Sequence, residues 1–229
     1  MKNFELMLAP MEGRSNPNFR KKCFENGATS TFTEMARISA LARNNKSTLK
    51  KVEIPNKIPT YIQLIGSNEK ELKEFLLNFK PQEGFMGFNL NLGCPSPHMI
   101  KRGLGCALIK RTTKVNKLVS IIKNQGYSAS IKLRLGMNKF EKDKKVFLNL
   151  IKNVDADFFI IHARHGQETK MNPADFEVYE ECVKTGKKII ANGDISTKEQ
   201  VEMLKKIGVK GVMIGSSAIK DPEIFRKLN

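Results

Sequence analysis

Short apolar runs alternate along this chain with longer stretches in which apolar residues recur at every third or fourth position. The first pattern is that of strands covered on both faces, and the second is that of amphipathic helices. Strands are predicted over residues 5–9, 30–34, 58–64, 86–91, 130–134, 157–162, 188–192 and 211–215. Between them, a helix runs from Asn16-Pro17, an N-cap followed by proline at the first helical position, to Gly27, and others cover 38–51 and 68–79. Further helices are predicted from Thr112 or Thr113 to Gly126, over 139–153 and 173–185, from the capping box Ser196-Thr-Lys-Glu199 to Gly208, and after Asp221-Pro222. Strand and helix thus alternate eight times, which predicts an α/β protein, a TIM (β/α)8 barrel, formed as one domain over residues 1–229.

Barrels of this kind carry their chemistry at the carboxyl ends of the strands, so polar residues that interrupt the apolar runs there are the candidates. Five consecutive strands have them: Gln63, then Asn89 and Asn91, Lys132 and Arg134, His162 and Arg164, and Asn192 and Asp194. The two-residue period of a strand puts Lys132 and Arg134 on the face of Ser130, and turns Ile131 and Leu133 towards the helices. Two cations directed into a barrel mouth are costly unless an anionic or electron-rich ligand meets them. Asn192-Gly-Asp194 and Gly215-Ser-Ser217 follow strands seven and eight, where this fold presents backbone N–H groups to phosphates. Cys94 stands between Gly93 and Pro95, where neither helix nor strand continues readily. A thiol fixed on a turn at a strand end suits reaction with a ligand more than packing. Cys23 and Cys106 read as packing thiols, and His98 and His165 as loop residues.

Charge adds a partner to this picture. The balance of 40 Lys+Arg against 23 Asp+Glu, net +17, predicts a polyanion, RNA before an anionic membrane, because no amphipathic basic helix stands out. Residues 98–117 carry six Lys/Arg and no acid, and Arg37, Arg43, Lys46, Lys50 and Lys51 follow the second strand. The four cysteines contain no C-x-x-C pair, so no metal site and no disulfide framework is expected. With no apolar stretch of ~18 residues and no signal peptide, the expected location is cytoplasmic.

Taken in order, these residues resemble the tRNA-dihydrouridine synthase family, FMN-dependent TIM barrels that reduce uridine in RNA. The matching pieces are Ala9-Pro-Met-Glu-Gly13 with Asn18-Phe-Arg20, Gln63-Leu64, Asn89-Leu-Asn-Leu-Gly-Cys-Pro95 with Gly103-Leu-Gly105, Lys132-Leu-Arg134 and His162-Ala-Arg164. Ala174-Asp-Phe176, Asn192-Gly-Asp-Ile195, and Met213-Ile-Gly215 with Pro222-Glu-Ile-Phe225 complete the series. The resemblance implies that Pro10, Met11, Glu12, Gln63, Lys132, His162, Asn192, Gly193, Asp194, Gly215 and Ser216 contact FMN. It further implies that Asn91, Arg134 and Arg164 face the substrate base and that Cys94 is the catalytic acid.

The implied reaction moves hydride from NADPH (or NADH) to FMN and then to C6 of uracil. C5 next takes a proton, which an ordinary thiol of pKa about 8.5 can supply at pH 7. Lys132 would stabilise the reduced flavin. Ser216 stands where the family usually has arginine, and residues 167–172 lack its usual tyrosine and glycine. The C-terminal helical domain that grips tRNA in the family is not expected within these 229 residues, so RNA binding falls to the basic clusters or to a partner protein. Two alternatives stay open: an FMN barrel acting on a free pyrimidine, against which the net +17 argues, and a basic RNA-binding or partner subunit without flavin chemistry, against which Cys94, Lys132 and His162 argue.

Overall fold

The structure, a computed structural model, describes residues 4–229. Strands β1 (Glu5–Leu8), β2 (Thr31–Phe32), β3 (Ala36–Arg37), β4 (Thr60–Ile65), β5 (Phe85–Leu92), β6 (Ala129–Arg134), β7 (Phe159–His162), β8 (Ile189–Asn192) and β9 (Gly211–Ile214) pair in parallel throughout. The order around the sheet is β1-β9-β8-β7-β6-β5-β4-β2, and β3 also pairs with β4. A parallel bridge between Met7 and Ser30 closes β1 onto the start of β2. With β2 and β3 counted as one stave, eight staves close the barrel that the alternation of patterns predicts.

The second stave is split because Thr33 intrudes on its ladder. The Thr33 hydroxyl accepts from the Gln63 N–H at 3.1 Å, in place of a backbone carbonyl, and donates to the Glu34 carbonyl at 2.9 Å. Strand pairing therefore stops at Phe32 and resumes at Ala36.

Helices form where caps and apolar spacing agree. Asn16 caps α1 (Pro17–Glu25) by accepting from the Phe19 N–H. The expected segment 38–51 is two helices, α2 (Ile38–Ala42) and α3 (Lys46–Lys51), because Asn44 turns to φ 53° and the Asn45 side chain caps the second. Asn68 caps α4 (Glu69–Asn78), and a short α5 (Pro97–Lys101), absent from the predicted pattern, follows the Cys94 turn. Beyond α6 (Thr112–Lys123), the expected helix 139–153 is broken into α7 (Lys139–Asp143) and α8 (Val146–Asn153), since Lys145 between them sits at φ 52°. The helix predicted over 173–185 contracts to α9 (Val178–Val183). The capping box of α10 (Lys198–Ile207) is formed by Thr197 and Gln200, one residue later than Ser196 and Glu199. Two further short helices, α11 (Ser216–Lys220) and α12 (Ile224–Leu228), end the chain. No helix among the described residues is long and apolar enough to cross a membrane.

Two apolar regions result. Outside the sheet, Leu64, Leu90, Ile131, Leu133 and Ile161 pack under helix residues such as Leu72, Phe75, Val115, Leu118, Leu150 and Val201. Inside the barrel, Met7, Phe32, Phe158, Ile160, Ile190 and Met213 form a plug, with Tyr61 stacked on Phe32 at 5.0 Å and edge-on to Phe158 at 5.4 Å. Fully burying one such side chain stabilises the fold by about 1.5–3 kcal/mol. The filled plug leaves the carboxyl ends of the strands as the place where polar side chains can gather.

Candidate active site

The turn after β5 is held from two sides. The Asn91 side-chain oxygen accepts from the Gly93 N–H at 3.0 Å and from the Cys94 N–H at 2.9 Å, an Asx turn that stops the strand and lifts the thiol to the rim. From the other side, the Cys106 N–H donates to the Cys94 carbonyl at 3.1 Å. Gly105 makes that approach feasible: it sits at φ 59°, and a Cβ there would lie 2.3 Å from the Cys94 oxygen. Cys94 is half-buried, whereas Cys23, Cys106 and Cys182 are buried, and burial pushes each of those three thiols up to about 12.

Lys132 and Arg134 do face inward, as their spacing from Ser130 predicts. The Lys132 ammonium donates to the Asn192 Oδ1 at 2.8 Å, and Asn192 in turn donates to the Met213 carbonyl at 2.8 Å. Burial, then the nearby Arg134 charge, pushes the Lys132 amine down to about 7. Arg134 spends one nitrogen on the His165 carbonyl at 2.8 Å and the Glu168 carbonyl at 3.1 Å. Burial, followed by the charges of Lys132, Arg134 and Arg164, pushes His162 down to about 2, so its ring is neutral. Its Nε2 lies 3.3 Å from Arg164 Nη1, which can only donate; Nε2 is therefore the acceptor, and Nδ1–H is the ring's remaining donor.

Arg164 and Asp194 sit differently from a pair that faces a ligand directly. Arg164 is 3% exposed, and all three of its nitrogens have internal partners: Asn172 O at 2.7 Å, His162 Nε2, and the Asp194 carboxylate. Asp194 also accepts from the Ala174 N–H at 3.0 Å, so this pair pins the loop before α9 to the end of β8. The pattern did not reveal Tyr179 on α9. Its hydroxyl accepts from the Asn192 N–H at 3.0 Å and reaches the Asn192 carbonyl at 2.7 Å, which fixes the backbone from which Asn192 meets Lys132. The only signal available in sequence is a tyrosine on an apolar helix face, which needs a buried partner for its hydroxyl.

Two cavities at the strand ends gather these side chains. The larger, about 660 Å³, is lined by Met11, Arg164, Asn192, Gly193, Asp194, Gly215 and Ser216, with Arg14, Lys170 and Lys220 towards solvent. The smaller, about 230 Å³, is lined by Gln63, Asn91, Cys94, Arg134 and Met35. Pro10, Glu12, Lys132 and His162 line both, so the two form one continuous mouth; of the strand-end candidates it receives all except Asn89, which is wholly buried beneath it. Their sizes together suit a ligand site, which typically spans about 300–1,000 Å³. A cleft of about 220 Å³ between α2, α3 and α4 and an open crevice of about 770 Å³ beside α10 contain no cysteine, histidine or strand-end cation.

The basic clusters divide. Lys51 is tied to Glu12 and Glu34, Arg43 to Glu71 at 4.0 Å, and Lys110 to Glu141 at 3.1 Å. Arg37, Lys46, Lys50, Lys101 and Arg102 are exposed and form no ion pair among the described residues.

With this geometry in place, comparison with known proteins is informative. A family described as "Dihydrouridine synthase (Dus)" matches residues 7–229. A "probable tRNA-dihydrouridine synthase" of Helicobacter pylori is 30% identical over 226 residues, which cover 96% of this chain and 68% of that protein. This chain belongs to the dihydrouridine synthase family. It is also 24% identical to tRNA-dihydrouridine synthase B of Pseudomonas putida, over 97% of the chain and 67% of the relative. A human relative named "tRNA-dihydrouridine(47) synthase [NAD(P)(+)]-like" is 28% identical over 98% of the chain, although the match covers 35% of that longer protein. Among solved structures, N-(5'-phosphoribosyl)anthranilate isomerase from Pyrococcus furiosus superposes with a TM-score of 0.56 at 13% identity, covering 99% of this chain and 96% of the other. Nitroalkane oxidase from Streptomyces ansochromogenes gives 0.56 at 11% identity, over 92% and 64%. These two likenesses establish the family member's barrel fold.

Proposed function

We propose that this chain reduces uridine to 5,6-dihydrouridine in tRNA, with FMN as its resident cofactor, NADPH or NADH as the electron source, and Cys94 as the acid that protonates C5. The observation that carries this reading is the juxtaposition of one half-buried thiol with an inward lysine and a neutral histidine around a single mouth.

The donor set suits FMN. Pro10, Met11 and Met213 offer apolar contact, while Gln63, Lys132, His162 and Asn192 offer polar groups at a depth that suits the edge of a ring system. A Cβ on Gly193 would meet the His162 ring at 3.0 Å, so glycine there, at φ 118°, lets that ring pack against the backbone at the end of β8, and Gly215 packs likewise beside Ala9 and Met11. At the outer end, Ser216, Arg14, Lys170 and Lys220 suit a phosphate; Ser216 supplies a hydroxyl where arginine is usual in the family. Glu12 and Asp194 complete the set, with Asp194 held in place by Arg164.

FMN held by these residues would supply the hydride chemistry at C6 of the uracil ring, with a nicotinamide as its reductant. Arg134, with nitrogens to spare beyond His165 and Glu168, carries the charge that the uracil carbonyls gain when hydride arrives. Asn91 faces the base from the foot of the Cys94 turn, and Arg164 contributes through His162 and Asp194. Cys94 then gives its S–H proton to C5, and the thiolate is reprotonated from solvent. Exposed cations on α3 and α5 draw the phosphate backbone to the rim, offsetting the few kcal/mol needed to unstack the target base.

The test uses the purified chain. A flavin band at about 450 nm, together with NADPH-dependent gain of two hydrogens on uridine in an unmodified tRNA transcript, is the expected result. A colourless protein that takes up no FMN and leaves the transcript's mass unchanged would overturn it.

A further inference from the structure

We propose that Ser130 and Asn89, neither of which lines the mouth, are positioning residues for Cys94 and act on it through Gln63 and Asn91. The inference rests on the reading of Cys94 as the acid.

Four buried or half-buried side chains from three adjacent strands form one head-to-tail chain beneath the thiol. Asn91 Nδ2 donates to Gln63 Oε1 at 2.9 Å, Gln63 Nε2 donates to Asn89 Oδ1 at 2.8 Å, and Asn89 Nδ2 donates to Ser130 Oγ at 2.9 Å. The Ser130 hydroxyl donates in turn to the Phe88 carbonyl at 3.3 Å. Ser130 and Asn89 are wholly buried and Gln63 is 1% exposed, so the two lower bonds of this chain are shielded from water, while Asn91 at its upper end is half-buried.

The order of donors along this relay is forced from its upper end. Two backbone N–H groups, those of Gly93 and Cys94, point at Asn91, and only an oxygen can receive them. Asn91 must then turn its NH2 to Gln63, which must accept with oxygen and donate with nitrogen, and the same constraint passes to Asn89. Asn89 thereby presents an NH2 to Ser130, whose oxygen accepts while its proton goes to the Phe88 carbonyl. Reversing any single amide sets donor against donor at the next junction. The reversal is propagated to the Cys94 turn, where it would remove both hydrogen bonds that shape the turn.

Apolar side chains would fill this layer at less cost, since a buried polar network is tolerable only when every member is satisfied. The layer is satisfied in one orientation only, and that orientation aims the Asn91 oxygen at the backbone of Cys94. A misplacement of about 1 Å at a reacting group can cost on the order of 10²-fold in rate. Asn89 and Ser130 thus set how sharply the thiol is aimed, although two and three side chains, respectively, separate them from its turn.

The test uses Ser130→Ala, Ser130→Thr and Asn89→Leu in the full chain. Alkylation of Cys94 by iodoacetamide under native conditions, read from the mass of the Cys94 peptide, needs neither flavin nor RNA, and buried Cys23, Cys106 and Cys182 report global opening in the same digest. Ser130→Ala and Asn89→Leu are expected to speed Cys94 alkylation by about threefold or more and to lower kcat for uridine about tenfold, with KM for RNA within about twofold. Ser130→Thr, which keeps the hydroxyl, is expected to restore both. If Asn89→Leu exposes the buried thiols, Ser130→Ala decides alone, since it deletes one oxygen. Alkylation within about twofold of wild type in Ser130→Ala, or a change that Ser130→Thr does not restore, overturns the relay. A protein that never reduces uridine yet shows the alkylation pattern would sink the proposed reaction and leave the positioning intact.

Discussion

Lys132 should make the binding of an electron-rich ligand a proton-uptake reaction. Its amine is pushed from 10.5 to about 7, by burial first and Arg134 second. At pH 8 such an amine is protonated in about one molecule in ten, whereas beside negative charge its pKa returns towards the ordinary value. FMN binding should therefore take up about 0.9 proton at pH 8, about 0.5 at pH 7 and almost none at pH 5.5. Above pH 8 the dissociation constant should rise about tenfold per pH unit. Titration calorimetry in two buffers of different ionisation enthalpy measures the uptake directly, and pH 8 lies clear of the phosphate's own titration near about 6. Lys132→Met isolates the group: uptake at pH 8 should fall close to zero.

The same shift has a stability consequence with the opposite sense to the usual carboxylate case. Between pH 7 and 10.5 the unfolded chain holds a proton that the folded one has lost, so ligand-free stability rises with pH across that window, and the full penalty applies below it. The ceiling is about 5 kcal/mol, reduced because the amine is only partly withdrawn from water. Ligand-free Lys132→Met should then melt above wild type at pH 6, with the gap closing towards pH 10. Equal proton uptake in wild type and variant at pH 8, or a flat dependence of FMN affinity on pH, would show that Lys132 is not the group that takes up the proton.

Gly105→Ala puts a Cβ 2.3 Å from the Cys94 carbonyl oxygen at φ 59°, so the Cys94 turn must move; we expect about 1–2 kcal/mol or more lost in thermal unfolding and a 10- to 100-fold slower uridine reduction. Wild-type turnover in that variant would show that the turn's position does not matter. RNA affinity should fall with salt, and Lys101→Glu with Arg102→Glu should flatten the log–log slope by about 1–2, as expected for two lost phosphate contacts. An unchanged slope would remove α5 from the RNA surface.

The barrel was legible because eight apolar runs closed by turn residues leave few other ways to be covered, and the two-residue alternation of β6 put Lys132 and Arg134 on the inward face, above the buried Ser130. Boundaries were less so. The split of the second stave depends on where the Thr33 hydroxyl finds its partners, and the break between α7 and α8 depends on Lys145 entering a left-handed conformation that a 3.6-residue period does not encode. Within the mouth, residue types at strand ends announced Cys94, Lys132 and His162, but not that Arg164 spends its guanidinium on Asn172, His162 and Asp194. Nor could the sequence pair Tyr179 with Asn192, thirteen residues on, because that contact depends on how α9 settles against β8.

In the proposed reaction, Cys94 gives the proton that completes uridine reduction. Single-turnover oxidation of the pre-reduced flavoprotein by tRNA, followed at about 450 nm in wild type and in Cys94→Ala, tests it most directly. The expected result is a flavin-loaded variant whose oxidation is about 10²–10⁴-fold slower. A Cys94→Ala protein that holds flavin and reduces uridine at near the wild-type single-turnover rate would contradict it.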